Sequence, residues 1–455
     1  ELKEKASDGW EKFAGHSPHR PWVDEVKIVC SKCGSLSERI PDVGNPWLDA
    51  GIVAYSTLTK GNKGAPLYLK DSKEWEKWFP TDFITESFPG QFKNWFYSLI
   101  AMSTVLENKE PFKTVLGFAT LLGEDGRPMH KSWGNAVEFN EGADEIGVDV
   151  MRWMYTRQNP GDNLLFGHNV AREVRRKFHL KLWNSYNFFV TYANLDAWSP
   201  SGPKSLKGRR QNSSNILDKW ILERLVQTIT GVTNKLKKYD AYNASLILED
   251  FVDDLSNWYI RRSRERVGPT QVDKKDRDSF YETTYAILTT LCKLLAPFIP
   301  FITEGIYRNF TKEASVHLGN WPKGKSHFDK KLLLDMENIR QVVEKVHAIR
   351  KDKNIPVRQP LKSLITKAPF SPPENLKVLL MDEINVKEWI VTKGKKLENT
   401  LDTTITNELR EEAKTRELIR NVQLERRKKG MELAQKITLT VPWLPKSKAL
   451  VQILK

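Results

Sequence analysis

The chain has 455 residues, a formal net charge of +15 and a composition that is 40% hydrophobic. A chain of this length is expected to form two to four domains with cores of their own, and its composition excludes an intrinsically disordered protein. The excess of lysine and arginine favours a polyanionic partner. Nucleic acid is the leading candidate, and a basic protein without such a partner is the alternative.

The cysteines and the most apolar run bear on the compartment. The three cysteines, Cys30, Cys33 and Cys292, are too few for a disulfide framework and fit a reducing cytosol. The run LCKLLAPFIPFI is too short to span a bilayer, and the first residues do not have the pattern of a secretory signal. We therefore expect a cytoplasmic protein without a membrane segment. Because the chain opens with Glu1 in the helix-like ELKEK, we also expect it to be a piece of a longer protein.

The first part of the chain alternates strand and helix patterns. Residues 1 to about 70 mix short β-like runs with turns. A helix predicted over residues 90–108 carries apolar side chains at helical spacing, namely Phe92, Trp95, Phe96, Leu99 and Ile100. The next apolar run, TVLGFATLL, lies between Pro111 and the turn GEDG, which predicts a strand of a parallel sheet that is buried on both faces.

The stretch PMHKSWGN, residues 128–135, follows that strand and precedes a helix start. Ligands of α/β sheets bind at the carboxyl ends of the strands, so the predicted topology places this loop where a ligand would bind. A lysine ammonium there could meet the phosphates of a nucleotide, and Gly134 would let backbone amides approach. The alternative is an ordinary solvated loop, which so short a motif does not exclude by itself.

From about residue 148 the pattern becomes helical. Asp149 is predicted to cap the helix VMRWMYTR, and the segment 199–214, rich in Ser, Gly, Lys and Arg, is predicted to be a linker or exposed loop. One apolar helical stripe comprises Leu217, Trp220, Ile221, Leu225, Ile229, Val232 and Leu236, and a second comprises Phe251, Val252, Leu255, Trp258 and Tyr259. With a third helix over 278–296 they predict a bundle, after which basic helices over 331–352 and 405–430 surround shorter β-like pieces.

The segment TLLGEDGRPMHKSWGNAVEF resembles the second signature of the class I aminoacyl-tRNA synthetases, a lysine-methionine-serine-lysine-serine motif followed by leucine-glycine-asparagine. Five residues match the signature: Met129, Lys131, Ser132, Gly134 and Asn135. Pro128 replaces the first lysine, His130 the first serine and Trp133 the leucine. The resemblance implies a catalytic loop of Met129, His130, Lys131 and Ser132, in which Lys131 stabilises the leaving pyrophosphate and Arg127 or His130 compensates for the missing lysine.

Further stretches resemble the same family in the same order. HRPWVDEVKIVCSKCG looks like the segment that follows the editing-domain insertion, and DVGNPWLDAG is similar to the family's aspartate-x-tryptophan-phenylalanine-aspartate-serine-glycine stretch. The resemblance implies Trp47 as a wall of the amino-acid pocket and Asp49 as its polar support, whereas an isolated tryptophan would more often be a core residue. ITESFPGQFKNWFYSL resembles a stretch that holds the adenylate, which implies roles for Glu86 and Gln91, with Gly117 as a further candidate.

The segment NWYIRRSRER, residues 257–266, resembles the anticodon-domain signature of isoleucyl enzymes more than that of valyl or leucyl ones. The resemblance implies tRNA contacts for its arginines, Arg261, Arg262, Arg264 and Arg266. Arg262 and Arg266 also continue the apolar face of the helix, because residues three and four apart are neighbours. They could therefore cover the end of the bundle with their stems or pair with a buried acid instead of reaching RNA.

The basic C-terminal stretch LDTTITNELREEAKTRELIRNVQLERRKKG resembles the junction region of isoleucyl enzymes of the archaeal and eukaryotic type. Arg426, Arg427 and Lys428 are its candidates for phosphate contacts, which position RNA without identifying bases. A solvated helix face is the equally weighted alternative.

The Cys30-x-x-Cys33 pair supplies half of the four ligands that tetrahedral zinc requires. His16 and His19 lie upstream at His-x-x-His spacing and could complete a zinc site within this chain. In relatives the second ligand pair comes from cysteines that would precede this chain. The alternative is a tight glycine turn that holds two free thiols.

The resemblance covers nearly all of the chain and implies an α/β fold class for the first part, the second half of a Rossmann-like nucleotide-binding core. An all-α anticodon-binding bundle and a small mixed α+β C-terminal domain follow. We expect the core over residues 1–147, a helical stem-contact connection over 148–204, the bundle over 205–325 and a basic junction domain over 326–455.

The implied function is the C-terminal portion of an isoleucine-specific class I synthetase, which uses ATP to activate isoleucine and transfers it to tRNA(Ile). ATP with Mg²⁺ would be bound, Zn²⁺ is a further candidate, and a monomer that works with the missing N-terminal half is expected. The first class signature, histidine-x-glycine-histidine, and the editing insertion do not occur in these residues. A non-catalytic RNA-binding paralogue, favoured by Pro128 and by Gly90 in place of an aspartate, and a valyl enzyme are the alternatives.

Overall fold

The computed structural model describes residues 2–17, 19–42, 46–60, 64–200, 213–268, 271–324 and 328–432, and single residues or short stretches between 435 and 451. The chain divides into two units, Glu1–Thr120 and Leu121–Lys455. Most of the predicted linker over 199–214, and the predicted boundaries at 204/205 and 325/326, lie outside the described residues.

The first unit contains short helices and two small sheets. Its α-helices are α1 (Leu2–Lys5), α2 (Trp10–Phe13), α3 (Pro46–Gly51), α4 (Val53–Ser56), α5 (Leu67–Lys70), α6 (Ser72–Trp75), α7 (Phe88–Gln91) and α8 (Tyr97–Glu107), with a 3-10 turn at Trp22–Glu25. Strands β1 (Ala6–Asp8), β2 (Lys27–Val29) and β3 (Leu36–Ser37) form an antiparallel sheet in that order. Strands β4 (Ile84–Ser87) and β5 (Val115–Phe118) pair in parallel.

The helix predicted over 90–108 is confirmed, and it is longer and less regular than expected. Helix α7, a π-helical segment at Phe92–Phe96 and α8 follow one another without a break. Phe96 and Leu99 are buried, whereas Phe92 is 58% exposed. The π segment explains this difference, because it shifts the residues before it out of phase with those that follow. Gly51 allows the close packing of α3, since a Cβ there would lie 2.7 Å from Met102 Cγ and 2.8 Å from the Ser98 carbonyl.

The run TVLGFATLL is not one doubly buried strand. It forms β5 in the first unit and β6 (Leu121–Gly123) in the second, where β6 pairs in parallel with β7 (Leu164–Phe166). The predicted parallel pairing is confirmed, but burial on both faces is wrong for β5, whose Val115 and Phe118 are exposed. Within the described residues β5 has only β4 as a neighbouring strand, so apolar content alone overestimated its burial.

The second unit is mainly helical and holds the largest core. Its α-helices are α9 (Phe139–Gly142), α10 (Val148–Thr156), α11 (His168–Val174), α12 (Leu180–Leu195), α13 (Ile216–Leu236), α14 (Ala241–Asp253), α15 (Lys274–Leu295), α16 (Pro300–Phe310), α17 (Lys330–Asp352), α18 (Glu374–Ile384) and α19 (Asn407–Lys428). The π segments are Ala143–Gly147, Arg175–His179 and Asp254–Ile260, and the 3-10 turns are Lys131–Trp133, Arg264–Arg266 and Val316–Leu318. The strands are β6, β7, β8 (Leu361–Ala368), β9 (Val386–Lys393) and β10 (Glu398–Leu401).

The predicted apolar stripes form this core. The stripe on α13 is buried except for Leu236, which is partly buried, and the stripe from Phe251 to Tyr259 is buried throughout. Helices α17 and α18 pack on a sheet whose central strand, β8, is parallel to β9 and antiparallel to β10. The helices predicted over 278–296, 331–352 and 405–430 correspond to α15, α17 and α19.

Side-chain caps explain where the long helices begin. The side chains at the N-caps of α13, α14, α15, α17 and α19 each accept a hydrogen bond from a backbone N–H of the first turn; these caps are Asn215, Asp240, Asp273, Asp329 and Thr406. The capping prediction for Asp149 is wrong. Its carboxylate accepts from the backbone N–H groups of Phe301 and Ile302, so it caps α16 rather than α10. Helix α10 continues directly from a π segment and has no free N-terminus to cap.

Among the described residues, no helix is long and apolar enough to cross a membrane.

We expect stability to depend on pH through His179, which is buried against Trp153 and Phe178. Burial disfavours the imidazolium and lowers the pKa of His179 to about 4 from 6.5. The unfolded chain therefore takes up a proton before the folded one does, and the free energy of unfolding falls as pH drops from 6.5 towards 4, by about 3 kcal/mol in total. Denaturant titrations at several pH values would measure this. The His179→Phe variant should lack this part of the pH dependence, and an unchanged profile would contradict the assignment.

Candidate functional site

The PMHKS loop begins where β6 ends. A tight turn follows β6, closed by hydrogen bonds from Gly126 N to Gly123 O at 2.9 Å and from Gly123 N to Arg127 O at 2.9 Å. Asp125 accepts from the backbone N–H of Arg127 at 3.0 Å and from its Nε at 2.8 Å, and these bonds hold the pKa of Asp125 below its ordinary value. Arg127, a predicted substitute for the missing lysine, is thus paired at the base of the loop.

Asn135 holds the loop in shape. Its Nδ2 donates to the Pro128 carbonyl at 3.0 Å, and its Oδ1 accepts from the His130 N–H at 2.9 Å, so one side chain bridges both ends of the Pro128–His130 segment. Met129 packs on the cluster around Ile146. Gly134, with φ of +70°, ends the 3-10 turn in a conformation that favours glycine. The match at Asn135 therefore has a structural reason that the motif alone did not reveal.

Lys131 and Ser132 are exposed at the tip of this loop. Lys131 has no hydrogen-bond or ion-pair partner within the part of the chain that the structure describes. His130 packs against Trp133 with ring centroids 4.3 Å apart. A fixed backbone thus presents an unpaired ammonium after the carboxyl end of a parallel strand. An ammonium in this setting is suited to bind phosphate oxygens.

Two residues at the base of the loop were not predicted from the sequence. Glu124 accepts from the N–H of Val170 at 3.1 Å and from Asn169 Nδ2 at 2.9 Å, which ties the end of β6 to the start of α11. Burial opposes ionisation of Glu124, but these bonds outweigh it and lower the pKa. Gly167 leaves room for this contact, because a Cβ there would lie 2.0 Å from Glu124 Cγ. In the sequence, this contact was indicated only by a carboxylate directly after β6 and a glycine directly after β7.

The first unit brings three of the predicted adenylate residues together. Glu86 on β4 is paired in register with Gly117 on β5, and its Oε1 accepts from the Ser87 N–H at 2.8 Å. A Cβ at Gly117 would lie 2.8 Å from the Phe88 side chain, so only glycine fits. Gln91 is the last residue of α7, where the π segment begins, and its Oε1 is buried without a hydrogen-bond partner among the described residues. These residues surround the carboxyl end of β4.

The other predicted residues of this unit lie on a different helix. Trp47 is half-buried and Asp49 exposed, both on α3, which packs on α8 through Gly51. An apolar cavity of about 250 Å³ lies beside this contact and is lined by Gly51, Tyr55, Phe79, Trp95 and Leu99, among others. Trp47 and Asp49 do not line it.

Cys30 and Cys33 lie in a tight turn, in which Gly34 N donates to Cys30 O at 2.9 Å and Cys30 N donates to Ser35 O at 2.8 Å. The Ser35 hydroxyl, 3.0 Å from Cys33 Sγ, lowers the pKa of that thiol. His16 stacks on Trp22, and no group of three or more His, Cys, Asp or Glu residues among the described ones could hold a metal ion. Among the described residues, His16 and His19 therefore do not join the two thiols in a zinc site.

Arg266 lies inside the second unit, not on its surface. It is 7% exposed and donates to Asp218 at 2.7 Å and to Asp276 at 2.8 Å. Asp218, fully buried, also accepts from the Tyr259 hydroxyl at 2.8 Å and from the Ser279 hydroxyl at 2.7 Å. The structure thus favours the buried-acid alternative for Arg266, whose charge is already satisfied.

Arg261 and Arg262 bind a carboxylate of α18. Arg261 Nη2 lies 2.5 Å from Glu383 Oε1, and Arg262 Nη1 lies 3.3 Å from Glu383 Oε2. Burial opposes ionisation of Glu383, yet the neighbouring His347 and the hydrogen bond from Arg261 hold its pKa below the ordinary value. Arg261 keeps 43% of its side chain exposed. Its guanidinium also lies 5.9 Å from the centre of the Trp258 ring.

Arg264 is the arginine of this segment that faces solvent without a partner among the described residues. It lines a groove of about 350 Å³ between α12 and the π segment Asp254–Ile260. The groove also presents amides, a hydroxyl and two aromatic rings, from Asn184, Asn187, Ser256, Phe188 and Tyr192. Amides can hydrogen-bond base edges, aromatic rings can stack on bases, and a guanidinium can bind phosphate, so this set is suited to a nucleotide.

The predicted basic residues of α19 also differ in whether their side chains already have a partner. Arg426 donates to the carbonyl oxygens of Glu432 at 3.0 Å and Gln435 at 2.8 Å, and Lys428 pairs with Glu425 at 2.7 Å. Arg427 is exposed and has no partner within the described residues. Of these three, Arg427 is the cation most available to a polyanion.

Replacing Arg266 by alanine should strongly destabilise the second unit, because it leaves Asp218 buried and unpaired. We expect the free energy of unfolding to fall by about 3–5 kcal/mol, whereas Arg264→Ala, which removes an exposed arginine two positions away, should change it by less than about 0.5 kcal/mol. Denaturant unfolding followed by circular dichroism measures both. Equal effects of the two variants would show that the buried pair does not have this role.

Two family models match separate parts of the chain, and the first of them extends across the boundary between the two units. A family model described as "tRNA synthetases class I (I, L, M and V)" matches residues 4–165. A second, described as "Anticodon-binding domain of tRNA ligase", matches residues 218–365. The first match includes the PMHKS loop and the β4–β5 residues, and the second includes the segment 257–266.

Curated relatives are similar over most of the chain. An isoleucine–tRNA ligase of Clostridium tetani is 36% identical over 399 residues, which are 86% of this chain and 37% of the relative. Those of Deinococcus radiodurans and Clostridium acetobutylicum are each 37% identical, over 83% and 85% of this chain and 35% and 36% of the relatives. The chain therefore spans little more than a third of the length of the curated relatives it matches.

Proposed function

Because this chain belongs to the class I tRNA synthetases, we propose that it carries the KMSKS-like loop and the anticodon-binding part of an isoleucine–tRNA ligase. The choice of isoleucine as the amino acid rests on the relatives named above, because all three are isoleucine–tRNA ligases. The reaction would be the ATP-dependent activation of isoleucine and its transfer to tRNA(Ile). The observation that carries the proposal is the unpaired ammonium of Lys131 on a loop held by Asn135.

In activation, the isoleucine carboxylate attacks the α-phosphate of ATP and pyrophosphate leaves. Lys131 would stabilise the charge that develops on the pyrophosphate, with Ser132 beside it at the tip of the loop, while the bonds of Asn135 to Pro128 and His130 keep the loop in position. Mg²⁺ would arrive with ATP, which supplies its phosphate ligands. This chemistry is positioning and charge stabilisation, which agrees with a loop whose backbone is fixed and whose cation is free.

The residues of the first unit would bind the amino acid and the adenylate. Gln91, with a buried amide oxygen that has no described partner, can accept a hydrogen bond from a ligand. Glu86 at the end of β4 can accept from a ribose hydroxyl, and Gly117 leaves room beside it. Trp47 would form a wall of the amino-acid pocket with Asp49 as its support.

The second unit would bind tRNA. We assign the first contacts to Arg264 with its groove and to Arg427, because their charges have no described protein partner. Arg261, Arg426 and Lys428 would contribute after rearrangement of their present bonds. We further propose the anticodon bundle over 205–325, the stem-contact connection over 148–204, the junction domain over 326–455, a monomer and a cytoplasmic location.

A non-catalytic RNA-binding paralogue is the second candidate function. Pro128 in place of the first signature lysine favours it, as does Gly90 in place of an aspartate. Arg127 does not clearly replace the missing cation, because Asp125 binds it. A valyl enzyme is the third, and the sequence NWYIRRSR weighs against it.

The 455 residues by themselves are expected not to form isoleucyl-adenylate, because the sequence has no histidine-x-glycine-histidine motif.

In the ligase that includes this chain, Lys131→Ala should lower ATP–pyrophosphate exchange on the order of 10²-fold with little change in tRNA binding. Lys395→Ala, which removes an exposed lysine of the C-terminal part, serves as the control of equal charge. Exchange that Lys131→Ala leaves unchanged would remove this residue from the mechanism and favour the paralogue.

The chain should bind tRNA with an isoleucine anticodon more tightly than tRNA with a valine anticodon. Phosphate contacts weaken steeply with salt while base contacts persist, so the preference should survive at moderate salt. Arg264→Ala should reduce the preference about tenfold or more if its groove contacts a base, and Lys395→Ala should not. Equal binding of the two tRNAs that disappears with salt would contradict anticodon recognition.

A further inference from the structure

We propose that Glu383 is a latch that competes with RNA phosphate for Arg261, so that RNA binding and the docking of α18 oppose each other. The inference rests on the proposed function in taking RNA as the polyanion. It adds a regulatory role to a residue outside the signature segment.

The position of Glu383 is the first argument. Glu383 and Asp382 lie in the last turn of α18, where the helix dipole disfavours negative charge. Glu383 is nevertheless 4% exposed in its side chain, whereas Asp382 is 65% exposed. A buried carboxylate in this place needs strong compensation, and Arg261 and Arg262 provide it together with His347, whose Nε2 lies 3.7 Å away.

The unequal exposure of the two partners is the second argument. Arg261 keeps 43% of its side chain in solvent although Glu383 is buried. Arg261 Nε is occupied by the Asn257 carbonyl at 2.8 Å and Nη2 by Glu383, so the exposed side of the guanidinium is the one that a phosphate can reach. A phosphate that also takes the Nη2 donor, which now binds Glu383, competes with that carboxylate for Arg261.

The cost of breaking this contact is the third argument. Without Arg261, Glu383 would be a buried carboxylate that has lost its 2.5 Å partner and keeps more distant partners such as Arg262 at 3.3 Å, so α18 would loosen. The surroundings of Arg261 make its release local: Trp258 is flanked by Arg261 and by Arg340 at 5.8 Å, and Arg340 is anchored on Asp254 at 2.6 Å. Arg340 and Asp254 can stay in place while Arg261 moves. RNA binding and the docking of α18 are then linked, and each must weaken the other by the same factor.

The experiment is a binding titration of the full chain and of Glu383→Gln with poly(U) and with tRNA(Ile) over a salt series. Glutamine keeps the shape of the side chain and removes its charge. We expect Glu383→Gln to bind both RNAs about three- to tenfold more tightly at 0.1 M salt, and the slope of log K against log salt to steepen by about one phosphate contact, ~0.9.

Two controls separate the latch from a general charge effect. Glu388→Gln removes an equal charge from an exposed carboxylate on β9 and should give a much smaller gain. In an Arg261→Ala background, Glu383→Gln should give no gain, because the half-exposed guanidinium that Glu383 competes for is absent, while the mostly buried Arg262 stays out of reach of RNA. Unchanged affinity of folded Glu383→Gln, or a gain that persists without Arg261, would overturn the proposal.

Hydrogen exchange of the unmodified chain gives a readout that needs no variant. Amides of residues 374–384 should exchange faster when poly(U) is bound, and unchanged or slower exchange would overturn the latch. Binding of poly(U) with the expected gain, but without preference for tRNA(Ile), would contradict the proposed ligase while the latch stands. If neither RNA binds to the chain or to Glu383→Gln, the latch fails.

Discussion

The helical part of this protein depends on one carboxylate that has no exposed surface. Asp218 lies in the first turn of α13 and receives hydrogen bonds from Arg266 and Tyr259 of the signature segment and from Ser279 of α15. It therefore fixes three elements relative to one another at a single point. An ionised group in such a place is stable only while all its donors are present, so the position of the whole 257–266 segment follows from it.

This constraint divides the arginines of the segment into different roles. Arg266 is buried in an ion pair with Asp218, and Arg261 and Arg262 are bound by Glu383 of α18. Of the four, Arg264 is the exposed one without a partner among the described residues. The formal charge of +15 therefore overstates the number of cations available to a polyanion. Which cations are available is decided by the carboxylates that face them.

Facing carboxylates also decide which cation of the PMHKS loop is available, and here the functional candidate is the one without such a partner among the described residues. Asn135 bonds the backbone of the loop, Glu124 bonds the start of α11, and Asp125 binds Arg127, whereas Lys131 has no partner in the part of the chain that the structure describes. Fixing the backbone while leaving one cation free reduces the entropic cost of ordering the loop around a phosphate. A free lysine on a floppy loop would lose part of its binding energy to that ordering.

The sequence alone determined the local elements: the apolar stripe of α13, the helices α15 and α17, and the loop after β6. These depend on spacing and on neighbours within a few residues. Only the tertiary structure decided that Asp149 caps α16, that β5 is exposed, and that Arg266 is buried while Arg264 is free. Each of these depends on a partner far away in the chain, such as Asp218, 48 residues from Arg266. The residues around Arg266 in the sequence do not indicate which distant carboxylate will pair with it.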